Sequence, residues 1–496
     1  MITFVGAICL LIVGYYVYSK VVERIFGIDD DRETPAYTKQ DGMDFMPMSW
    51  WKGSLIQLLN IAGLGPIFGA VLGALYGPVA FIWIVIGSIF AGAVHDYFSG
   101  MMSLRHNGEQ YPSLVGRYLG KGAKGTINII SIVLMILVAA AFTAGPAQLM
   151  AQVTPLNFTM SLVLIFAYFV LAAILPVNKI IGRIYPIFGV ILILMAVSIA
   201  IGLFFMDNPV PNLTLANLHP DNLPLWPLLM ITVSCGAISG FHSTQSPIIA
   251  RTMKRESDGK KVFYGAMIAE GVIALIWAAA GMTFFGSTGG LQGALAAGGL
   301  SGVVNEISSS LLGTFGGILA IVGVIILPIT TGDTSLRSSR MMLADLFTKK
   351  GKSEAADGKG KTLLLTAAVA TPTFLLTQID YTFLWRYVGF TNQLVATVML
   401  WTAAMYLVKK QKFHWICSVP ALFMTMTVAT YLFLAPEGFQ LPYATSMFMG
   451  GGITCLTAGW FGYQLWNARK KRKRTSRKSS IEKRTFLFTY KRNVLF

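Results

Sequence analysis

One stretch limits this chain more than any other. In Asn60-Ile-Ala-Gly-Leu-Gly-Pro-Ile-Phe-Gly69, three glycines and a proline interrupt a hydrophobic segment where an ordinary spanning helix would continue. Glycine lacks the side chain that favours helical backbone and proline lacks an N–H. Carbonyls and amides near Gly63 to Pro66 are therefore predicted to lie unpaired with one another. Bare backbone is costly in hydrocarbon, and it is tolerated only where it lines a protein-enclosed or watery cavity in which a ligand or ion satisfies the freed groups. A second interruption of the same kind follows at Ser234-Cys-Gly-Ala-Ile-Ser-Gly-Phe-His-Ser-Thr-Gln-Ser-Pro247. Two broken segments in corresponding halves of a chain point to a transporter binding site near the bilayer midplane.

Composition places these breaks in a membrane. Of 496 residues, 54% are hydrophobic and only 12% charged, with a mean hydropathy of +0.63, far more apolar than a soluble domain. The four cysteines, Cys9, Cys235, Cys417 and Cys455, are scattered through apolar segments without paired spacing, so neither a disulfide framework nor a zinc site is indicated. The net charge of +17 would suit nucleic acid, but the basic residues sit in short connections and a tail, which is a topology signal.

Apolar runs long enough for a hydrocarbon core of about 30 Å lie near 2–19, 54–76 (broken), 79–102, 126–152, 158–176, 183–206, 225–250 (broken), 262–286, 315–335, 362–378, 383–408, 414–434 and 443–467. That makes about thirteen transmembrane helices in an all-α polytopic membrane protein. Of 39 Lys and Arg residues, 38 fall in connections on one side of such an arrangement, and the positive-inside rule makes that side the cytoplasm. The N-terminus is then outside and the C-terminus cytoplasmic. The first run has no basic residue ahead of it and no small-residue cleavage site, and it reads as a retained anchor. The glycine-rich segment 287–314 reads as a re-entrant or surface helical hairpin over the outer face.

The breaks fall in the second and seventh runs, so each opens a block of five. An odd-numbered block is inserted in the opposite sense to its twin, which makes the pair an inverted repeat. The chain thus divides into an N-terminal anchor helix and cytoplasmic loop (1–53), a first five-helix repeat (54–206), an outer loop (207–224), a second five-helix repeat (225–408), two C-terminal helices (409–467) and a basic cytoplasmic tail (468–496). The run Arg469-Lys-Lys-Arg-Lys-Arg474 suits attraction to anionic lipid rather than to nucleic acid.

Only three of the 22 acidic residues, Asp96, Glu270 and Asp333, fall inside apolar runs. Each costs several kcal/mol, roughly 2.5–3.5 on insertion scales, and is a functional candidate for that reason. Asp333 lies with Thr330, Thr331 and Thr334, so hydroxyls and a carboxylate are placed to offer oxygen ligands to sodium or to carry a proton; pairing with Arg337 is the structural alternative. Glu270 is either a proton carrier or a carboxyl hydrogen-bonded to the broken seventh run. His95 and Asp96 are adjacent on a helix, pointing about 100° apart, and are not an obvious dyad. His242 sits beside the second break with Ser239, Gly240, Ser243, Thr244 and Gln245, where a half-helix end and a titratable imidazole would meet a polar or anionic ligand; a satisfied structural histidine is the other reading. Arg386 either clamps a substrate carboxylate or snorkels to the outer surface and pairs with Asp380. Asn392 and Gln393 would line the same cavity.

Enzyme signatures are absent: there is no His-Glu-x-x-His and no Gly-x-Ser-x-Gly. The triplet Gly351-Lys-Ser353 has Leu346 where a phosphate-binding loop needs glycine, which disfavours an ATP-driven pump. No cofactor is expected.

Gly63-Leu-Gly-Pro66, Gly92-Ala-Val-His-Asp96, Phe241-His-Ser-Thr-Gln-Ser-Pro247, Thr330-Thr-Gly-Asp-Thr334 and Trp385-Arg-Tyr with Asn392-Gln393 resemble the signature stretches of the carbon starvation protein A (CstA) family, over about Asp41 to Trp466. The chain is similar to the shorter members. The resemblance implies an inner-membrane secondary transporter of pyruvate or peptides, proton-coupled, with a LeuT-like inverted-repeat core whose broken helices hold the substrate around Gly63, Gly65 and the second break. By the same resemblance a cation pocket would lie between Ala62 to Gly65 and Thr330, Thr331, Asp333 and Thr334, with Asp333 favouring a proton over sodium. The expectation is an alternating-access symporter. Its rivals are a sodium-coupled amino-acid carrier and a membrane nutrient sensor with the basic tail as output.

Overall fold

A computed structural model describes residues 1–42, 44–174, 177–206, 208–347 and 359–494. Gly351-Lys-Ser353 lies outside the described residues. Every regular element among those residues is helical, and the only extended pairing is an isolated bridge between Met48 and Met253. The reason is physical: an apolar segment out of water must close its backbone hydrogen bonds internally, and the helix does so within one segment.

We number the main helices in chain order: α1 (Ile2–Phe26), α2 (Trp50–Ile61), α3 (Gly65–Tyr76), α4 (Val79–Arg105), α5 (Tyr111–Tyr118), α6 (Lys121–Val153), α7 (Phe158–Ile174) and α8 (Val177–Leu203). They continue as α9 (Leu225–Thr232), α10 (Phe241–Ala250), α11 (Gly265–Phe284), α12 (Thr288–Phe347), α13 (Lys359–Leu376), α14 (Tyr381–Lys409), α15 (Trp415–Leu434) and α16 (Tyr443–Val494). Seven helical stretches among the described residues are long and apolar enough to cross a membrane, and α2 with α3 pass together as a pair bent by 60°. Two shorter apolar helices cover Phe158–Ala173 and Gly360–Leu376.

Both interruptions are real. At the first, Ala62 N–H closes α2 onto the Leu58 carbonyl (2.8 Å) and Gly63 N–H turns back to the Ile61 carbonyl (3.0 Å). α3 then begins with a wide π turn over Gly65–Gly69. Pro66 stands near its start, where a missing N–H leaves no intrahelical bond unmade. At the second, residues 233–240 leave the helix between α9 and α10.

The glycines explain how the two breaks meet. A Cβ on Gly65 would stand 2.2 Å from Cys235 Cβ, one on Gly69 2.8 Å from the Thr232 carbonyl oxygen, and one on Gly73 2.3 Å from a Val233 methyl. These three positions, four apart, form a bare stripe on α3 against which the second break lies. Small residues allow such backbone approach between membrane helices. On the other side, a Cβ on Gly92 would meet the Ala237 carbonyl oxygen at 2.2 Å, and one on Gly240 the Asn392 carbonyl oxygen at 2.2 Å. The second break is therefore held between α3, α4 and α14.

Two further segments compare with the sequence reading. The stretch 287–314 is helical in two pieces, because Gly299 (φ 64°) and Gly313 (φ 64°) interrupt α12 in conformations that side chains resist. α16 does not stop near residue 467 but stays helical through the basic segment to Val494. Lys, Arg and Glu are good helix formers, so loss of hydropathy there is not loss of helix.

At one end of the protein an ion pair ties several segments. Arg105, at the end of α4, donates from Nε (2.9 Å) and Nη2 (2.7 Å) to the two carboxylate oxygens of Glu256, from Nη2 to the Gly27 carbonyl (2.5 Å) and from Nη1 to Tyr406 Oη (2.9 Å). Its guanidinium lies 4.0 Å from the Phe26 ring centroid. Glu256 also accepts the Asp29 N–H at 2.8 Å. Nearby, Lys412 donates to the Phe26 carbonyl, and burial together with the Arg105 charge pulls its ammonium below the ordinary lysine range. The sequence reading placed Glu256 in a connection, whereas its side chain is fully buried. Removing one partner of such a pair leaves the other charge desolvated, so Glu256→Gln is expected to destabilise the protein by about 3 kcal/mol, read as a lower thermal midpoint in detergent. Gly65→Ala should also lower that midpoint, and adding Cys235→Gly should restore most of the loss, because the obstruction is Cys235 Cβ.

Candidate functional site

The second break delivers its side chains to neighbours fixed by close packing. Ser88 Oγ of α4 donates to the Gly236 carbonyl (3.0 Å) and Gln393 Nε2 of α14 to the Ile238 carbonyl (2.9 Å). Asn392 Oδ1 accepts from the Phe241 N–H at the head of α10 (2.7 Å) and from Ser239 Oγ (3.1 Å), while its Nδ2 meets Cys235 Sγ at 3.4 Å. Ser243 Oγ donates back to the Gly240 carbonyl at 2.6 Å. Neighbouring side chains thus satisfy freed backbone groups that the sequence reading left to a ligand, and Asn392 and Gln393 are engaged with the break itself. At the first break, Thr331 Oγ1 of α12 donates to the Leu59 carbonyl at 2.9 Å.

This scaffold brings together four titratable side chains from three helices. Nδ1 of His95 and Nδ1 of His242 each lie 2.8 Å from one oxygen of Asp96. His242 Nε2 is 3.3 Å from Glu270 Oε2 on α11. All four side chains are fully buried. The adjacency of His95 and Asp96 does not keep them apart as the 100° offset suggested: side-chain torsions swing both toward one meeting point. His242 stands between two carboxyl groups, hydrogen-bonded to Asp96 and 3.3 Å from Glu270. The Ile61 carbonyl, at the end of α2, lies beside its ring.

The proton inventory follows from donor and acceptor chemistry. A carboxylate only accepts, so an Asp96 anion contacted through Nδ1 by both rings assigns the Nδ1 protons to His95 and His242. His242 Nε2 and Glu270 Oε2 then face each other at 3.3 Å, and neither of them, nor His95 Nε2, has a hydrogen-bond partner among the described residues. An imidazole that carries protons on two distinct nitrogens is suited to passing one between carboxyl groups.

The other predicted residues form different groups. Asp333 accepts hydrogen bonds from Tyr168 Oη of α7 (3.0 Å) and from Tyr185 Oη of α8, whose oxygen also lies 3.2 Å from the Thr330 carbonyl. Arg337 donates to the Ala172 carbonyl and contributes positive charge near Asp333. Asp333 is therefore held by tyrosines from α7 and α8, whereas Thr331, two residues earlier, meets the first break. Thr330 Oγ1 and Thr334 Oγ1 donate to carbonyls of their own helix, Leu327 (2.8 Å) and Thr331 (3.0 Å). Gln245 donates to Thr244 Oγ1 (3.0 Å) and Ser338 Oγ (3.4 Å). A Cβ on Gly63 would overlap the Phe142 ring at 2.1 Å.

Arg386 follows the surface alternative rather than the clamp. Its side chain is exposed, with the guanidinium 5.9 Å from the Phe383 ring centroid, while Asp380 caps α14 by accepting the Phe383 N–H at 3.0 Å. That is the geometry of a surface arginine, outside the buried polar cluster. Sequence reasoning missed Tyr168 and Tyr185 as partners of Asp333. It also missed the joining of Asp96, His242 and Glu270, which no local spacing encodes.

Comparison with known proteins gives the family. The family model described as carbon starvation protein CstA matches residues 1–164, 145–284 and 278–431. A membrane protein of Haemophilus influenzae is 47% identical over 352 residues, covering 60% of this chain and 95% of the relative. A Bacillus subtilis protein named peptide transporter CstA is 26% identical over 345 residues, covering 56% of this chain and 57% of its own. An Escherichia coli protein named pyruvate/proton symporter BtsT is 24% identical over 345 residues, covering 55% of this chain and 47% of its own. The matches span about half the length of these two named transporters. With the family model matching nearly the whole span from α1 to α15, the chain belongs to the carbon starvation protein CstA family.

Proposed function

We propose that this protein is a secondary active transporter that imports pyruvate or short peptides by proton symport with alternating access. The observation that carries this reading is the buried chain Asp96–His242–Glu270. It supports an exchangeable proton on the half-helix that leaves the second break, where any movement of that half-helix would change the proton's surroundings. A charge at that depth is costly, so protonation and movement are coupled by the energy of burying an uncompensated carboxylate.

In this account the protein sits in the inner membrane with about thirteen spans, its N-terminus outside and C-terminus cytoplasmic. The blocks 54–206 and 225–408 form a LeuT-like inverted repeat, and substrate binds beside Gly63, Gly65 and residues 239–245. Glu270 exchanges the proton with His242, and Asp96 with His95 fixes the His242 ring. Asp333 with its two tyrosines is a second candidate carrier. The names of the relatives support peptide or pyruvate as cargo and, for one of them, a proton as the coupling ion. The contact of Thr331 with Leu59 keeps a sodium reading at Ala62, Thr330 and Thr334 as the rival arm of the test.

Purified protein in proteoliposomes should accumulate labelled pyruvate or dialanine under an imposed proton gradient and not under a sodium gradient. Glu270→Gln, which fixes a neutral partner for His242, should reduce proton-driven accumulation at least about tenfold while exchange of labelled for unlabelled substrate at equal pH persists. Accumulation driven by sodium alone, with Glu270→Gln inert and Thr331→Ala deficient, would instead support the sodium carrier. A chain ending at residue 467 should still transport, whereas a sensor with the basic segment as its output would lose its response.

A further inference from the structure

Beside the titratable chain lies a second group of buried polar side chains that carries no charge. Gln57 and Asn60, three apart on the last turns of α2, are both fully buried. Neither Asn60 Nδ2 nor Oδ1 has a hydrogen-bond partner, and Gln57 Oε1 has none. Across from them on α10, Gln245 is fully buried and its Oε1 is also unpartnered. Gln57 Nε2 reaches Oγ of Ser246, the residue next to Gln245 on α10, at 3.4 Å. On α6, Asn128 Oδ1 and Ser131 Oγ, again buried and unpartnered, share a helix face with Met135, whose Sδ meets Thr244 Oγ1 at 3.2 Å. Leaving a buried polar atom without a partner is unfavourable, so a group of them on facing helices calls for a ligand.

The polarity of the group is fixed by its hydroxyl neighbours. Ser246 Oγ donates its proton to the His242 carbonyl at 2.9 Å and must therefore accept from Gln57. Thr244 Oγ1 donates to the Phe241 carbonyl at 2.7 Å and must accept from Gln245. Both glutamines consequently present nitrogen to the protein and leave oxygen free. With Asn60 Oδ1 and Asn128 Oδ1, four of the six unpartnered atoms are acceptors. A solute made only of acceptors, such as a simple carboxylate, can pair there only with Asn60 Nδ2 and Ser131 Oγ and leaves the four oxygens unmet.

We infer that Gln57, Asn60 and Gln245 form a neutral, acceptor-rich site at the end of α2 that binds the N–H-bearing end of a solute, an ammonium or an amide nitrogen. This rests on reading the surroundings of the two breaks as the substrate site. It assigns recognition to side chains on the first half-helix outside the family signature stretches and separates them from the proton-exchanging chain around His242.

The test is binding of dialanine, alaninamide, N-acetylalaninamide and pyruvate to the purified full-length protein in detergent, by calorimetry, together with thermal midpoints without ligand. The wild type should bind nitrogen-bearing solutes. Asn60→Leu and Gln57→Met should each weaken that binding about tenfold or more, the scale of one lost hydrogen bond in a buried site. They should leave the ligand-free midpoint level or higher, because an apolar side chain of similar shape removes an unmet polar group. Binding by alaninamide but not N-acetylalaninamide identifies an ammonium, and the reverse an amide N–H. A lowered ligand-free midpoint in Asn60→Leu would make the residue structural and overturn the inference. So would pyruvate binding that depends on Asn60 and Gln57, or no binding of any nitrogen-bearing solute. If proton-driven pyruvate uptake persists while dialanine does not bind, this inference fails and the symporter stands. Dialanine binding that depends on Asn60, without driven uptake of either solute, upholds this inference and removes the symporter.

Discussion

Backbone that leaves the helix inside an apolar protein must find hydrogen-bond partners without water, and this structure is arranged around meeting that demand twice. Asn392, Gln393 and Ser88 serve the second break, and Thr331 serves the first. These side chains come from α14, α4 and α12, so the demand also dictates which helices surround the centre. The glycine stripe Gly65, Gly69 and Gly73 then lets the two breaks touch directly. A rigid frame with satisfied backbone groups makes room for side chains whose own groups are not satisfied, and those are the functional candidates.

Two chemistries separate within a few residues of each other. The chain from His95 through Asp96 and His242 to Glu270 is rich in exchangeable protons. The group of Gln57, Asn60 and Gln245 is neutral and acceptor-rich. His242 and Gln245 leave the same half-helix α10, three positions apart, so movement of that one element alters both. Such a shared element is the physical requirement for coupling, in which two sites bias one structural transition.

Much of the fold was legible because its causes are local. Glycine and proline at Gly63 to Pro66 break a helix, and the apolar runs read from the sequence fall mainly on helices among the described residues, where seven stretches are long and apolar enough to cross a membrane. The helical pieces between residues 288 and 312 were foreseen as a hairpin, and Gly299 and Gly313 supply its interruptions. The end of α16 was misjudged because hydropathy reports membrane residence and not helicity. At the site, Asp96, Glu270 and His242 could each be singled out as an ionisable group in an apolar run, yet their union spans 146 residues between Asp96 and His242 and depends on tertiary packing. The sequence leaves Arg386 open between a clamp and a surface residue, since spacing on α14 does not say which face meets its neighbours. Gln57 and Asn60 gave no signal at all: uncharged amides do not stand out in an apolar run, and only their lack of partners marks them.

In the transport cycle proposed above, the contact between the two breaks is the part that opens. Cys235 lies in that contact, against Gly65, and is buried. The most direct measurement is the alkylation rate of Cys235 by a small maleimide, in protein whose Cys9, Cys417 and Cys455 are replaced by serine, with and without pyruvate or dialanine and across a pH series. The account predicts slow labelling that changes severalfold on adding the transported solute and on changing pH, with the pH effect lost in Glu270→Gln beyond that of thiol ionisation. Labelling that stays slow and unaltered by solute and by Glu270→Gln would show that the breaks do not part, and would contradict it.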